Sequence, residues 1–223
     1  MLRTGNAVDA AAATANMAEV LADQGRLDEA DASFRQALQV WRASGYGRWV
    51  AFATMHLGRI AARRGDFDRA LQLFAEARAG FAAIDGGAEV LETDVWTSEC
   101  LLLMDETERA LALVDDGLAR EAAMGGAGVH RATLHRLRGY ACARLGRLVE
   151  SWASLDDSLA AARSRQAHFE VALTLEAFAT IAPLAGVPFD PPEEEHRLVL
   201  ERLGVRHLPV VPLPMPAAPD GAG

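Results

Sequence analysis

The side chains able to do chemistry in this sequence do not gather into a catalytic set. His130 and His135 are five residues apart, which puts them on different faces of a helix, whereas a helical metal pair needs a spacing of three or four. His56, His168, His196 and His207 stand alone. Ser151, Ser154 and Ser158 run along one segment, but no general base is placed by the sequence to activate a hydroxyl, and they read as fillers of alanine-like slots. Gly125, Gly126 and Gly128 read as a connection rather than a phosphate cradle. A GxxxxGK[ST] loop is impossible because the chain has no lysine. The acidic pairs Asp115–Asp116 and Asp156–Asp157 occupy matching places in two segments and read as solvated faces. Cys100 and Cys142 form no CxxC pair and read as small buried hydrophobes. Trp41, Trp49, Trp96 and Trp152 read as wedges between packed helices, with a ligand box as the sharper option. The expectation is a chain that is not an enzyme, with no catalytic residue, no metal and no cofactor.

Composition narrows the partners. Apolar residues make up 51% and charged residues 24%, which are globular values. Alanine dominates the apolar set and favours helices, and β-branched runs bounded by turn signals are missing. All 22 basic residues are arginine and the net charge is −9. That balance opposes nucleic-acid binding and anionic membrane surfaces, both of which need a basic face. No signal-peptide pattern opens the chain and no apolar run approaches membrane-spanning length, so a cytoplasmic location is expected.

The elements that must position these residues are set by a period of 40. GRLDEADASFRQAL begins at Gly25 and GDFDRALQLFAEAR at Gly65, aligning Ala30, Phe34 and Ala37 with Ala70, Phe74 and Ala77. Ala110 and Val114 continue the register, with Asp105 in the glycine slot, and Gly146, Ser151, Leu155 and Ser158 follow. A fixed period of this size means stacked helical hairpins. Helices are expected near 5–24, 27–43, 47–64, 67–84, 88–104, 107–123, 128–145, 148–164, 168–185 and 191–203. Gly58 and Gly139, with Ala18, Ser98 and Ala179 in the same slot, should let paired helices approach closely. The predicted fold is all-α, an α-solenoid of about five antiparallel hairpins over 1–204. Residues 205–223 hold five of the nine prolines and read as an extended tail.

These residues identify a family. The run NMAEVLADQGRLDEADASFRQAL resembles the tetratricopeptide repeat through Asn16, Met17, Leu21, Gly25, Ala30, Phe34, Ala37 and Leu38, and HLGRIAARRGDFDRALQLFAEA matches it with Leu57 and Gly58. The usual period is 34, so each helix here must be longer by nearly a turn. The long period, the segment WRASGYGRWVAFATMHLGRIAARRG and the ending LERLGV look most like the C-terminal repeat regions of multidomain bacterial adenylate/guanylate cyclases or ATPase-type signalling regulators. The resemblance implies a non-catalytic protein–protein interaction module, the regulatory part of a larger signalling protein. Its partner would be a protein or peptide segment, or a neighbouring domain of a longer parent chain. The alternative is a sensor that binds a peptide or small molecule in its groove. The first helix is apolar nearly all round, so it should be covered by another helix pair or by a second copy in a homodimer.

Carrying the family's groove-facing slots onto this chain implies Ala15, Glu19 and Asp23 in the first hairpin, and Phe52, Met55, Arg59 and Arg63 in the second. Glu92, Val95 and Glu99 follow in the third, Thr133, Arg136, Tyr140 and Arg144 in the fourth, and Glu176 in the fifth. The sign alternates from hairpin to hairpin. Slots 40 apart should become neighbours, so Glu19 should face Arg59, Asp23 should face Arg63, and Arg59 should face Glu99. Two readings stay open: an internal salt-bridge ladder, or a groove in which arginine forks hold partner carboxylates and Phe52, Met55 and Tyr140 supply apolar contact.

Overall fold

Alanine-rich segments with apolar residues every three or four positions fold as expected. The computed structural model describes residues 2–124 and 128–186, with the single positions Pro188, Glu201, Gly204, Val211 and Leu213. Among the described residues there are nine helices and no strand: α1 (Leu2–Asp23), α2 (Leu27–Ser44), α3 (Gly47–Arg63), α4 (Phe67–Ala82), α5 (Gly87–Leu103), α6 (Thr107–Ala123), α7 (Arg131–Arg144), α8 (Leu148–Ser164) and α9 (His168–Ala185). The expected helix over 191–203 and the tail over 205–223 lie outside the described residues, apart from those single positions. Helix α7 starts three residues later than expected, because Gly128 adopts φ +64° and Val129 and His130 form a turn.

The residues fall into two compact units, one holding 2–104 with Gly204 and the other the remaining described residues from 105 onward. In the first, α1 packs on α2, α2 on α3, α3 on α4 and α4 on α5, and α3 also touches α1 and α5. In the second, α6 packs on α7, α7 on α8, α8 on α9, and α7 also on α9. No helix among the described residues is long and apolar enough to cross a membrane.

The turns within hairpins repeat one device. Gly25, Gly65 and Gly146 take φ of 77°, 80° and 72°, a left-handed conformation that glycine adopts without a Cβ clash. The following N–H groups of Arg26, Asp66 and Arg147 donate to the carbonyls of Leu21, Ala61 and Cys142 at 2.8, 3.0 and 2.8 Å, the hydrogen bond that closes a Schellman turn. Asp105, in the glycine slot without being glycine, still adopts φ 66°. The sequence reading missed a second set of the same turn between hairpins. Gly45, Asp85 and Gln166 have φ of 73°, 54° and 55°, and Tyr46, Gly86 and Ala167 donate to Trp41, Phe81 and Ala162 at 3.0, 2.9 and 3.0 Å. Only one of these three is glycine, so composition hides them.

The repeat slots form the core. Ala30, Phe34, Ala37, Ala70, Ala77, Ala110, Val114 and Leu155 have no exposed surface, and Phe74 has 2%. Trp41 is buried and stacks on Trp49 with ring centroids 5.5 Å apart, and Trp152 meets the ring of Phe178 edge-on at 4.9 Å, so these indoles join successive hairpins. Ser151 and Ser158 do more than fill alanine-like slots. Their buried hydroxyls donate to the carbonyls of Gly139 and Ala132, each at 2.8 Å, and tie α8 to α7.

The close approach occurs at the expected glycines. A Cβ on Gly58 would lie 2.9 Å from two carbons of the Phe74 ring, and one on Gly139 would lie 2.6 Å from Cδ2 of Leu155. Both neighbours are packed core side chains that cannot swing away. Gly58→Ala and Gly139→Ala should each lower stability by about 1–3 kcal/mol, the usual cost of overpacking. Gly47→Ala, where an added Cβ meets nothing within 4 Å, should leave stability unchanged or raise it by up to about 1 kcal/mol. Urea denaturation of the three variants checks the contrast.

Candidate functional site

Three helices of the first unit bring the expected groove residues together. On α3, Phe52, His56, Arg59 and Arg63 recur at steps of three or four and share one face, with Met55 beside His56. Helix α1 supplies Glu19 and Asp23, and α5 supplies Glu92, Trp96 and Glu99 at the same spacing.

Arg59 is the centre of this face and is only 7% exposed. Its guanidinium donates to Oδ1 of Asp23 at 2.8 Å and lies over the Trp96 ring with its carbon 3.8 Å from the centroid. It therefore joins α1 to α5 across α3, through one ion pair and one cation–π contact. Arg63 donates from Nη1 to the carbonyl of Ala22 at 2.7 Å, a carbonyl in the last turn of α1 that also accepts from the Gly25 N–H at 3.0 Å. These contacts replace the expected register. The structure pairs Arg59 with Asp23 rather than Glu19, and brings Arg63 to a backbone carbonyl. The C-terminal turn of α1 concentrates negative charge through the helix dipole and Asp23, and both arginines reach toward it. Among the described residues Glu99 makes no ion pair with Arg59.

Glu19, Glu92 and Glu99 have no hydrogen-bond or ion-pair partner among the described residues. Glu99 is 6% exposed, and Glu19 and Glu92 are half-buried. Burial, reinforced by the charge of Glu92 and then of Asp23, pushes the Glu19 carboxyl above its ordinary range, and Arg59 offsets this only in part.

Two of the expected apolar contacts behave differently from one another. Phe52 is half-buried and meets Phe34 edge-on at 6.3 Å. Met55 has no exposed surface, and its sulfur accepts from the Thr93 hydroxyl at 3.3 Å, so it packs α3 on α5 instead of facing a partner. Beneath this face lies a residue that sequence reasoning set aside as isolated. His56 is 3% exposed, stacks on Phe34 at 4.8 Å and touches Phe52 at 4.5 Å. Neither of its ring nitrogens has a hydrogen-bond partner. Desolvation, with Arg59 and Arg63 nearby, lowers its pKa to about 3. Its spacing of four from Phe52 was the available signal, but a lone histidine on an apolar face carries little information.

In the second unit the corresponding residues are largely consumed by packing. Arg136 is 5% exposed and donates to Oε2 of Glu170 at 3.3 Å. Arg144 reaches Oδ1 of Asp105 at 2.8 Å. Thr133 and Tyr140 are each 6% exposed, and Glu176 is half-buried. An open cavity of about 400 Å³ in this unit is lined by Arg131, Asp157, Ser164 and Arg165 among others.

Among the described residues no three His, Cys, Asp or Glu side chains are placed to hold a metal ion. Burial, helped by Glu99, pushes the Cys100 thiol up to about 11, and burial also raises that of Cys142, which leaves neither as a thiolate nucleophile at neutral pH.

Residues 9–83 match the family model described as tetratricopeptide repeat, a span that covers most of α1, all of α2 and α3, and α4 with the turn residue after it. This supports a tetratricopeptide repeat assignment for the first two hairpins. Repeats of this family generally mediate protein–protein interaction and are typically non-catalytic. No curated protein matches the chain.

Two outcomes follow from this geometry. A double-mutant cycle between Arg59→Met and Asp23→Asn should give a coupling of about 0.5–2 kcal/mol, and the cycle between Arg59→Met and Glu99→Gln should give less than about 0.3 kcal/mol, both read by urea unfolding. Folded His56 stays neutral down to about pH 3 while the unfolded residue binds a proton near 6.5. The unfolded state therefore holds more protons in that window, and stability falls as pH is lowered through it. His56→Leu should flatten the loss of stability between pH 6.5 and about 4, measured by urea unfolding at each pH.

Proposed function

We propose that this chain is a non-catalytic interaction module that presents the face built by α1, α3 and α5 to a segment of a protein partner. The observation that supports this reading is the half-buried surface at Glu19, Phe52 and Glu92, on α1, α3 and α5, within a unit that contains the matched repeats. The carboxylates are unpaired and the aromatic is half-buried, which is what a receiving surface offers and a finished core does not.

In the wider reading the repeat domain runs over residues 1–204 and is followed by a Pro-rich tail. The chain is then the regulatory part of a larger cytoplasmic bacterial signalling protein, whose cyclase or ATPase module lies elsewhere in the parent. Helix α1 exposes a stripe of Ala10, Ala13, Met17 and Val20, the last two at 59% and 49%. In this reading a neighbouring domain or a second copy covers it. An in-frame cyclase or ATPase module upstream of Met1 would support the parent assignment, and a stop codon directly upstream would count against it.

The binding reading is tested by selecting peptides against the full chain from a displayed library and mapping where they sit. A photocrosslinking phenylalanine analogue at Phe52 should capture the selected peptides. The same group at Val149, which is 86% exposed in the second unit, should not. Capture at Val149 alone, or a selection that yields no binder, overturns the reading.

A further inference from the structure

The repeat register allows the first helix of each hairpin to be compared slot by slot. The slot of Ala13 is filled by Ala53 in α3, Thr93 in α5, Leu134 in α7 and Thr174 in α9. The slot of Val20 is filled by Ile60, Cys100, Ala141 and Ile181. All eight of these residues are at most 1% exposed. Ala13 and Val20 are exposed, and so is Met17 between them, whose counterpart on α3, Leu57, is buried. The same stripe is closed on four helices and open on α1.

The preceding hairpin is what closes it. Beside Ala53 and Ile60, His56 and Trp49 stack on Phe34 and Trp41 of α2. Thr93 of α5 meets the Met55 sulfur of α3 at 3.3 Å. Arg138 of α7 donates to Asp115 of α6 at 2.9 Å. On α9, the Thr174 hydroxyl lies 2.8 Å from that of Ser158 on α8, and Phe178 meets Trp152 of the same helix.

Gly5 is a second, independent observation. In the same register its slot is that of Gly45, Asp85 and Gln166, the left-handed turns that join one hairpin to the next. Helices α3, α5 and α9 start just after that slot, at Gly47, Gly87 and His168. Helix α1 instead runs on through Gly5 to Leu2, and has 22 residues where α3 and α5 have 17. A residue type suited to reversing the chain is there held inside a helix, which it disfavours. Leu2, Arg3 and Thr4 stand in the slots of Arg42, Ala43 and Ser44, the last residues of α2.

We infer that the stripe of Ala13, Met17 and Val20 seats a further helical hairpin of the same repeat, whose second helix ends at Thr4 and turns at Gly5 into α1. The inference rests on the reading above that α1 is covered, and it names the cover. Surface area favours a joined hairpin over a separate molecule. A stripe one helix wide falls well short of the ~800 Å² per partner of a stable interface between free proteins, whereas a hairpin continuous with α1 acts at high effective concentration. A repeat that ends an array carries a polar outer face, and this stripe is apolar.

The test duplicates residues 5–44 directly upstream of Gly5 in the full chain, in place of Met1–Thr4, with Met17→Leu in the added copy. Peroxide oxidation of the remaining Met17 is followed by mass spectrometry. In the unaltered chain Met17 should oxidise readily, at a rate independent of protein concentration. In the duplicated chain it should oxidise about tenfold or more slowly. Phe34→Glu with Trp41→Glu in the added copy alone should restore the fast rate. Equal rates in the unaltered and duplicated chains overturn the inference. Slowing in the unaltered chain as its concentration rises assigns the stripe to a second copy and overturns it as well. The reading frame upstream of Met1 is a check that does not depend on the added hairpin folding. It should continue, with Ala, a large apolar residue and Ala in the slots that Ala30, Phe34 and Ala37 hold in α2. A stop codon there, or a continuous frame without those slots, overturns the inference. Peptide capture at Phe52 reports separately. Capture with Met17 still reactive in the duplicated chain sinks this inference alone, and protection of Met17 without capture sinks the groove reading alone.

Discussion

The structure depends on how closely two helices of one hairpin can pass. At Gly58 the backbone of α3 lies against the ring of Phe74, and at Gly139 that of α7 lies against Leu155, at distances that leave no room for a Cβ. This contact fixes which turn of one helix meets which turn of its partner. Once it is set, the Ala–Phe–Ala slots of the second helices are buried, and the first helix α3 is itself buried from Ala53 to Ala62. The left-handed turns at Gly25, Gly65 and Gly146 serve the same end by reversing the chain within a few residues. Asp105 adopts the same backbone without being glycine, as aspartate does more readily than most residues.

Where α1, α3 and α5 meet in the first unit, one buried cation braces the packing. Arg59 holds Asp23 and covers Trp96, so three successive first helices are linked through a single guanidinium. A planar, permanently charged group suits this position because it can donate to a carboxylate at its edge while stacking through its face. The remaining acids receive no such partner. The centre of this packing is thus braced by Arg59, which the remaining acids do not share.

Much of this was legible beforehand. The 40-residue period located the helices to within a few residues, apart from the late start of α7, and it identified Gly58, Gly139 and the buried Ala–Phe–Ala slots. Those features follow from local rules: side-chain size, helix periodicity and the conformational freedom of glycine. The second set of left-handed turns was not legible, because Asp85 and Gln166 carry no glycine signal. The burial of His56 and Met55 was not legible either. Whether a residue on an apolar face ends inside or at the rim depends on what the neighbouring hairpin places opposite it.

What the sequence by itself determined, then, is the class of structure, the register of its repeats and the set of charged side chains on the first helices. Periodicity is a property of a single chain segment and can be read without a partner. What only the tertiary structure decided is the pairing of those charges. A one-to-one ladder between matching slots was the simple expectation, but Arg59 reaches Asp23 instead of Glu19, and Arg63 reaches a carbonyl. Arginine side chains are long enough to span a helical turn, so their partners are chosen by the local field at the end of α1 and not by spacing in the sequence. That choice leaves Glu19, Glu92 and Glu99 as the acids with no partner among the described residues.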